Sequence, residues 1–270
     1  MVSKKTVKRD ALLNFTDELQ AQGRLFFTPE EAQKKLGETQ NAFHKASSRM
    51  IQKGKLFRPT SGFYVIVPPQ YRNARSIPPE WYIDGLMKFL GEAYYVGGLS
   101  AAALHGAAHQ APQEFQVVTP KPFRTLFAPR TRIRFFTKKL LSKTPIEQVK
   151  NYAGYFNVST PEATAIDLIR YYRWVGYLNN IATVLTELSE QLDPKKLLYA
   201  AQINGEIAHA QRLGYLLDQF GEKKPTEDLQ KWISTQNPKF IVLRPGWRGE
   251  TLDRNEKWRL LINEKVEPDL

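Results

Sequence analysis

The sequence holds no cysteine. That excludes disulfides, thiolate metal sites and cysteine nucleophiles, and it fits a reducing compartment such as the cytoplasm. Histidine is scarce too: there are four in 270 residues, with His105 and His109 four apart. So little imidazole makes no convincing metal set, and neither a metal nor a cofactor is expected. No apolar run approaches the ~18 residues that span a bilayer. The basic stretch Met1–Arg9 is not followed by the apolar core of a secretory signal. A cytoplasmic location without membrane association is therefore expected. Acids are the other shortage, 27 Asp and Glu against 39 Lys and Arg, for a net charge of +12. Such an excess favours an anionic partner, nucleic acid above all. Apolar residues are not short: at 42% of the chain they suffice for packed domains rather than disorder.

The positive charge is unevenly placed. Residues 1–75 carry fourteen Lys or Arg against six acids, +8 in little more than a quarter of the chain. Apolar spacing predicts a helix over Thr6–Ala21 with Leu12, Phe15 and Leu19 inward, stopped by Gly23. Leu25-Phe26-Phe27 reads as a short extended bridge. A second helix opens with Thr28 as N-cap, Pro29 in the first turn and Glu31 three after the cap, and ends near Leu36 before Gly37. A third runs from Thr39 to Lys53, stopped by Gly54, with Phe43, Ala46, Met50 and Ile51 inward. Its outward face is Gln40, Asn41, His44, Lys45, Ser48, Arg49 and Lys53. Nearly all of these donate hydrogen bonds, and the helix holds no acid. A face that met only water would mix charges of both signs, so this one suits phosphates and base edges. Lys55–Arg58 and Phe63–Val67 then form a hairpin about Pro59-Thr60-Ser61-Gly62, whose tip offers Arg58, Thr60 and Ser61. Three helices and a hairpin on a basic surface predict a winged helix-turn-helix that binds double-stranded DNA, with Lys4 and Lys5 as further phosphate contacts.

Two Pro-Pro pairs, Pro68-Pro69 and Pro78-Pro79, bracket a polar basic stretch and mark a stiff connector. The expected organisation is α+β: a winged helix-turn-helix over 1–70, a Pro-rich linker over 71–79, and a larger mixed α+β domain over 80–270. In the last, a helix is expected over Glu80–Leu90, strands over Glu114–Thr119, Thr131–Thr137, Glu147–Ala153 and Tyr155–Val158, and helices over Pro161–Trp174, Leu178–Leu192, Pro194–Tyr199 and Glu206–Phe220. The tail turns extended again at Lys239–Leu243 and Lys257–Asn263. The Gly97-Gly98 turn before a small-residue helix could cradle phosphate. It lacks the Walker lysine and the dinucleotide fingerprint, and close packing of an Ala-rich helix is the preferred reading.

Residues 121–150 form a second basic block, nine Lys or Arg against Glu147 alone. Arg130, Arg132 and Arg134 alternate along a strand and so share a face. Together with Lys121, Arg124, Lys138 and Lys139 they predict a second surface for nucleic acid or an acidic protein. Asp167 sits mid-helix among apolar residues. It reads as a buried helper bonded to backbone or to an arginine sooner than as a catalytic acid.

Tyr95-Val96-Gly97-Gly98-Leu99-Ser100-Ala101-Ala102-Ala103-Leu104-His105-Gly106, Val158-Ser159-Thr160-Pro161-Glu162-Ala163-Thr164-Ala165-Ile166-Asp167-Leu168 and Trp258-Arg259-Leu260-Leu261-Ile262-Asn263 follow the basic module. In this order the chain resembles the AbiEi-type antitoxins of bacterial type IV toxin–antitoxin and abortive-infection modules. The resemblance implies a cytoplasmic repressor that binds inverted repeats in its own promoter; many winged helices bind as dimers, and a monomer with two basic surfaces could instead bind cooperatively. It also implies that the chain counteracts a neighbouring toxin of nucleotidyltransferase type and is not an enzyme. The family commonly has Arg after Ser-Thr-Pro-Glu, where this chain has Ala163, so an ion pair from that position to Asp167 is absent here. Two other readings stand beside it. One is a nuclease targeted by the winged helix, using Glu264, Glu267 and Asp269 near Lys265. The other is a protein-interaction module anchored by Tyr171, Tyr172, Trp174 and Tyr177.

Overall fold

The computed structural model describes residues 11–107, 112–221, 225–246 and 250–268. The chain begins with α1 (Ala11–Ala21), β1 (Phe26–Phe27), α2 (Pro29–Leu36), α3 (Gln40–Gln52) and the hairpin β2 (Leu56–Thr60) and β3 (Phe63–Ile66). Thr6–Asp10 of the expected first helix, like Lys4, Lys5, His109 and Asp269, lie outside the described residues. Thr28 caps α2 by accepting from the Glu31 amide at 3.3 Å. The Glu31 carboxylate does not turn back to close a capping box; the fork of Arg24 takes it at 2.5 Å. The small core is aromatic: Phe27 stacks on Tyr64 at 5.5 Å and meets Phe15 and Phe43 edge-on.

β3 is the middle strand of the sheet β1-β3-β2. The β2–β3 register slips between Phe57 and Thr60. Pro59, which has no N–H to give a ladder, sits in that irregularity. The turn therefore shrinks from the expected four residues to Ser61-Gly62, with Gly62 at φ +79°.

The back of this module is packed against the rest of the molecule. Leu25, Phe57, Phe63, Val65 and Val67 share one apolar cluster with Tyr82 and with Ile83, Leu86 and Met87 of α4 (Ile83–Leu90). A Cβ on Gly85 would lie 2.2 Å from the Phe26 ring, so only glycine fits there. The two proline pairs do not form an extended rod: each opens a short 3₁₀ turn, at Pro69–Tyr71 and Pro79–Trp81. The second of these delays the start of α4 to Ile83.

A six-stranded mixed sheet follows, in the order β6 (Leu126–Ala128), β7 (Thr131–Thr137), β5 (Glu114–Thr119), β4 (Tyr95–Val96), β9 (Gly154–Ser159), β8 (Ile146–Asn151). The β5–β7 and β4–β9 pairs are parallel and the rest antiparallel. One face carries Val96, Val117, Ile133 and Val158 toward α4 and the hairpin. The other carries Tyr95, Val118 and Phe136 toward a helical layer. That layer is α5 (Gly98–Leu104), α6 (Pro161–Arg170), α7 (Tyr177–Leu188), α8 (Pro194–Asn204), α9 (Ile207–Phe220) and α10 (Thr226–Gln236). A small sheet of β10 (Ile241–Val242), β12 (Leu260–Ile262) and β11 (Asp253–Asn255) closes the far side. There Trp258 lies so close to Gly214 that a Cβ would come within 2.1 Å of its ring. The described residues thus form a mixed α+β fold of ten α-helices and three sheets. None of these helices is long and apolar enough to cross a membrane.

Candidate nucleic-acid interface

The side chain of Thr39 caps α3 by accepting from the Ala42 amide at 3.4 Å. Its inner stripe is Phe43, Ser47 and Met50. Ser47 replaces the expected Ile51, which is 37% exposed; Ser47 tolerates burial because its hydroxyl donates to the His44 carbonyl at 3.2 Å. All seven outward residues named from the sequence (Gln40, Asn41, His44, Lys45, Ser48, Arg49 and Lys53) are exposed. So are Arg58 and Ser61 at the hairpin tip, while Thr60 is half-buried.

Three adjoining hollows run along this helix. Gln40 and His44 face Arg58, Ser61 and Gly62 across the first, floored by Pro29, Gln33 and Tyr64. Glu30 is the acid on its rim. His44, Lys45, Ser48 and Arg49 form the second. In the third, Arg49, Lys53 and Lys55 surround Leu12, Leu13, Ala46 and Met50. Gln33 and Lys55 are additions that the sequence reading missed. Neither lies on α3 or the turn; they reach the hollows because α2 and the hairpin base pack beside that helix.

The second basic block is not one continuous surface. Lys138 was expected on it, yet it is buried. Its ammonium bonds Asp167 at 3.0 Å and donates to the Tyr95 hydroxyl at 3.3 Å. Tyr95 also donates to Asp167, at 2.7 Å. Burial, then the Asp167 charge, push the Tyr95 pKa far up. Asp167 is thus the buried helper expected, but its partner is a lysine supplied by the chain just past β7. Lys121 is held by Glu92. Arg134 grips Glu114, with one bond at 2.8 Å, and that guanidinium holds the Glu114 carboxyl below its usual range. Arg124, Arg130, Arg132 and Lys139 remain exposed. Arg130 precedes β7 and donates to the Ala74 carbonyl at 3.3 Å, so it leaves the face shared by Arg132 and Arg134.

The glycine turn is an internal joint. Gly98 is at φ +55°, and the Gln116 side chain occupies the start of α5, its Oε1 accepting from the Leu99 amide at 2.7 Å. A phosphate would have to displace it. Ser100 accepts from the Gln116 amide at 2.9 Å. The His105 Nε2–H donates to the Ser159 carbonyl at 2.8 Å, tying the Gly-Gly-Leu-Ser…His-Gly segment to Ser-Thr-Pro-Glu. Thr160 caps α6 at the Ala163 amide, and Glu162, buried, accepts from the Asp193 amide at 3.2 Å. These two motifs hold the sheet to its helices. At the C-terminal end, Glu264 is bound by Arg244 at 2.9 Å and Glu267 by Lys265 at 2.5 Å. Among the described residues no three His, Asp or Glu side chains gather where a metal ion would need them.

Residues 95–219 match the family model described as the AbiEi antitoxin C-terminal domain. The crystal structure of the RV2827C protein from Mycobacterium tuberculosis is similar in fold, with a TM-score of 0.64 at 16% identity over 93% of this chain and 90% of that one. No curated protein matches the sequence. The matched segment runs from β4 to α9 and contains both motif joints, the six-stranded sheet and the Lys138–Asp167 pair, so it is this part of the chain that is similar to the AbiEi antitoxin C-terminal domain.

Proposed function

We propose that the chain is an antitoxin and transcriptional autorepressor, acting in the cytoplasm, of a type IV toxin–antitoxin module. In this reading residues 1–70 are a winged helix-turn-helix, 71–79 the connector and 80–270 the antitoxin domain. α3 enters the major groove of the promoter. Gln40 and Asn41 suit adenine, Arg49 and Lys45 suit guanine or phosphate, and Arg58 and Ser61 at the hairpin tip take neighbouring phosphates. Inverted repeats are filled by two copies, as a dimer or cooperatively. The observation that carries the reading is the first hollow, where Gln40 and His44 converge with Arg58 and Ser61 from a separate element. A helix that merely faced solvent would have no reason to share a concavity with a basic hairpin tip. The toxin counteracted is of the nucleotidyltransferase type, and no residue of this chain is assigned a catalytic role.

The two halves of the proposal separate in one experiment. The full chain is expressed beside the neighbouring toxin gene, with a reporter on their shared promoter. Arg49→Ala is expected to release the reporter while growth stays protected. Reporter output that stays repressed in Arg49→Ala contradicts the role of α3. Growth arrest with the wild-type chain present contradicts the antitoxin role.

A further inference from the structure

Three exposed aromatic rings of the AbiEi domain and its flank each carry an arginine. Phe127 is 65% exposed, with Arg132 over it at 5.7 Å. Trp174 is 58% exposed, with Arg134 at 4.8 Å. Tyr177 is 47% exposed, with Arg244 at 5.2 Å. Arg132 and Arg134 are two apart on β7 and share a face. Phe136, on that same face, stacks on Tyr171 at 4.4 Å, and Tyr171 begins the turn that displays Trp174 and Tyr177. The pairs therefore follow one another from the edge strand β6, across β7, to the turn between α6 and α7.

The stripe is basic. Arg173 lies exposed within it, donates to the Tyr172 hydroxyl at 3.0 Å and makes no ion pair among the described residues. Glu114 and Glu264 reach these arginines and are bound by Arg134 and Arg244. The turn is also strained. Tyr177 takes φ +63° directly after Gly176 at φ +87°, a left-handed conformation that costs a bulky residue on the order of 1 kcal/mol. Its amide donates to the Tyr172 carbonyl at 2.9 Å, which locks the turn. The result is an aromatic ring presented to solvent rather than buried.

We propose that this stripe binds single-stranded nucleic acid, with bases stacked on Phe127, Trp174 and Tyr177 and phosphates on Arg132 and Arg173. Ring faces read only unpaired bases, because a duplex buries its base faces in its own stack. Each ring carries a guanidinium and stays 47–65% exposed, with Tyr172 meeting Tyr177 edge-on at 6.1 Å, and a basic, part-exposed ring is the arrangement of a stacking platform. The stripe shares no residue with α3, so the inference stands apart from the operator reading.

The test is fluorescence anisotropy of the full chain with labelled 12-nucleotide oligo(U) and oligo(dT), and with a duplex from upstream of the gene. Trp174→Ala and Phe127→Ala are each expected to weaken single-strand binding roughly tenfold, the loss of one stacked base, and to leave the duplex untouched. Trp174→Phe keeps a stacking ring and should retain most of the affinity, which separates stacking from a folding defect. Arg49→Ala should do the reverse, weakening the duplex alone. Tighter binding of oligo(U) than of oligo(dT) would identify RNA as the source, and the converse DNA. Single-strand affinity that survives both alanine variants, falls with Arg49→Ala, or is absent in the wild type overturns the proposal; absence would leave the stripe to a protein partner.

Discussion

Asp167 is fully buried, and its charge is balanced by one ammonium and one hydroxyl. Removing one member of such a pair strands the other in a medium that cannot solvate it. Lys138→Met should therefore destabilise the chain by about 3–5 kcal/mol. Lys138→Met combined with Asp167→Leu should recover most of that loss, because no buried charge then remains. Urea unfolding of the three proteins measures both effects; a single variant as stable as wild type would show the pair to be dispensable. A second, half-buried group responds to pH. Burial first pushes the His209 pKa down to about 4. Glu206, 3.3 Å away, opposes this, while Arg170, Arg212 and Lys138 add to it. In this window the unfolded chain takes up a proton near pH 6.5 that the folded chain refuses until about pH 4. Stability from this residue is therefore complete above about pH 6.5 and is lost as the pH falls toward 4. The urea midpoint should drop between pH 7 and pH 5, and the drop should shrink in His209→Gln. An equal drop in both proteins would assign the effect to other groups.

At the scale of elements, local chemistry decided most of what could be read in advance. Thr28 with Pro29, Thr39, Thr160 with Pro161, and Gly37 and Gly54 mark helix ends through caps and positive φ, and those helices start and stop where these residues stand. The strands Glu114–Thr119 and Thr131–Thr137 were legible from their flanks and composition. What was not legible depends on distant partners. α10 buries only Thr226, Leu229 and Ile233, too few to give a helical period. β6 and β11 are three residues each and exist because a neighbouring strand, β7 or β12, pairs with them. Lys138 looks like one more surface cation until the chain folds it over Asp167. Gly85 carries no signal at all; its reason is the Phe26 ring from a strand nearly sixty residues earlier. Gly85→Ala should cost about 1–3 kcal/mol by overpacking, and Phe26→Leu in the same chain should recover part of it. Thermal unfolding would show this, and an unchanged midpoint for Gly85→Ala would mean that β1 does not press on α4 in solution.

At the scale of the whole molecule, a basic module sits against the α+β part that matches the AbiEi domain, through a shared apolar cluster rather than at the end of a tether. The outward face of α3 was legible because a helix of donors without acids is an uncommon composition. The hollows beside it were not, since they need α2 and the hairpin in place. The central claim is that this face binds the chain's own promoter, and the most direct measurement is fluorescence anisotropy of the purified protein. A duplex from just upstream of its gene would be titrated against a scrambled duplex of equal length at several salt concentrations. With ~6 phosphate contacts, affinity should fall on the order of a thousandfold between about 50 and 200 mM salt. Arg49→Ala should cost roughly 1–3 kcal/mol on the upstream duplex alone. Tight, sequence-selective binding with that salt slope is the expected result; equal and weak binding to both duplexes would contradict it.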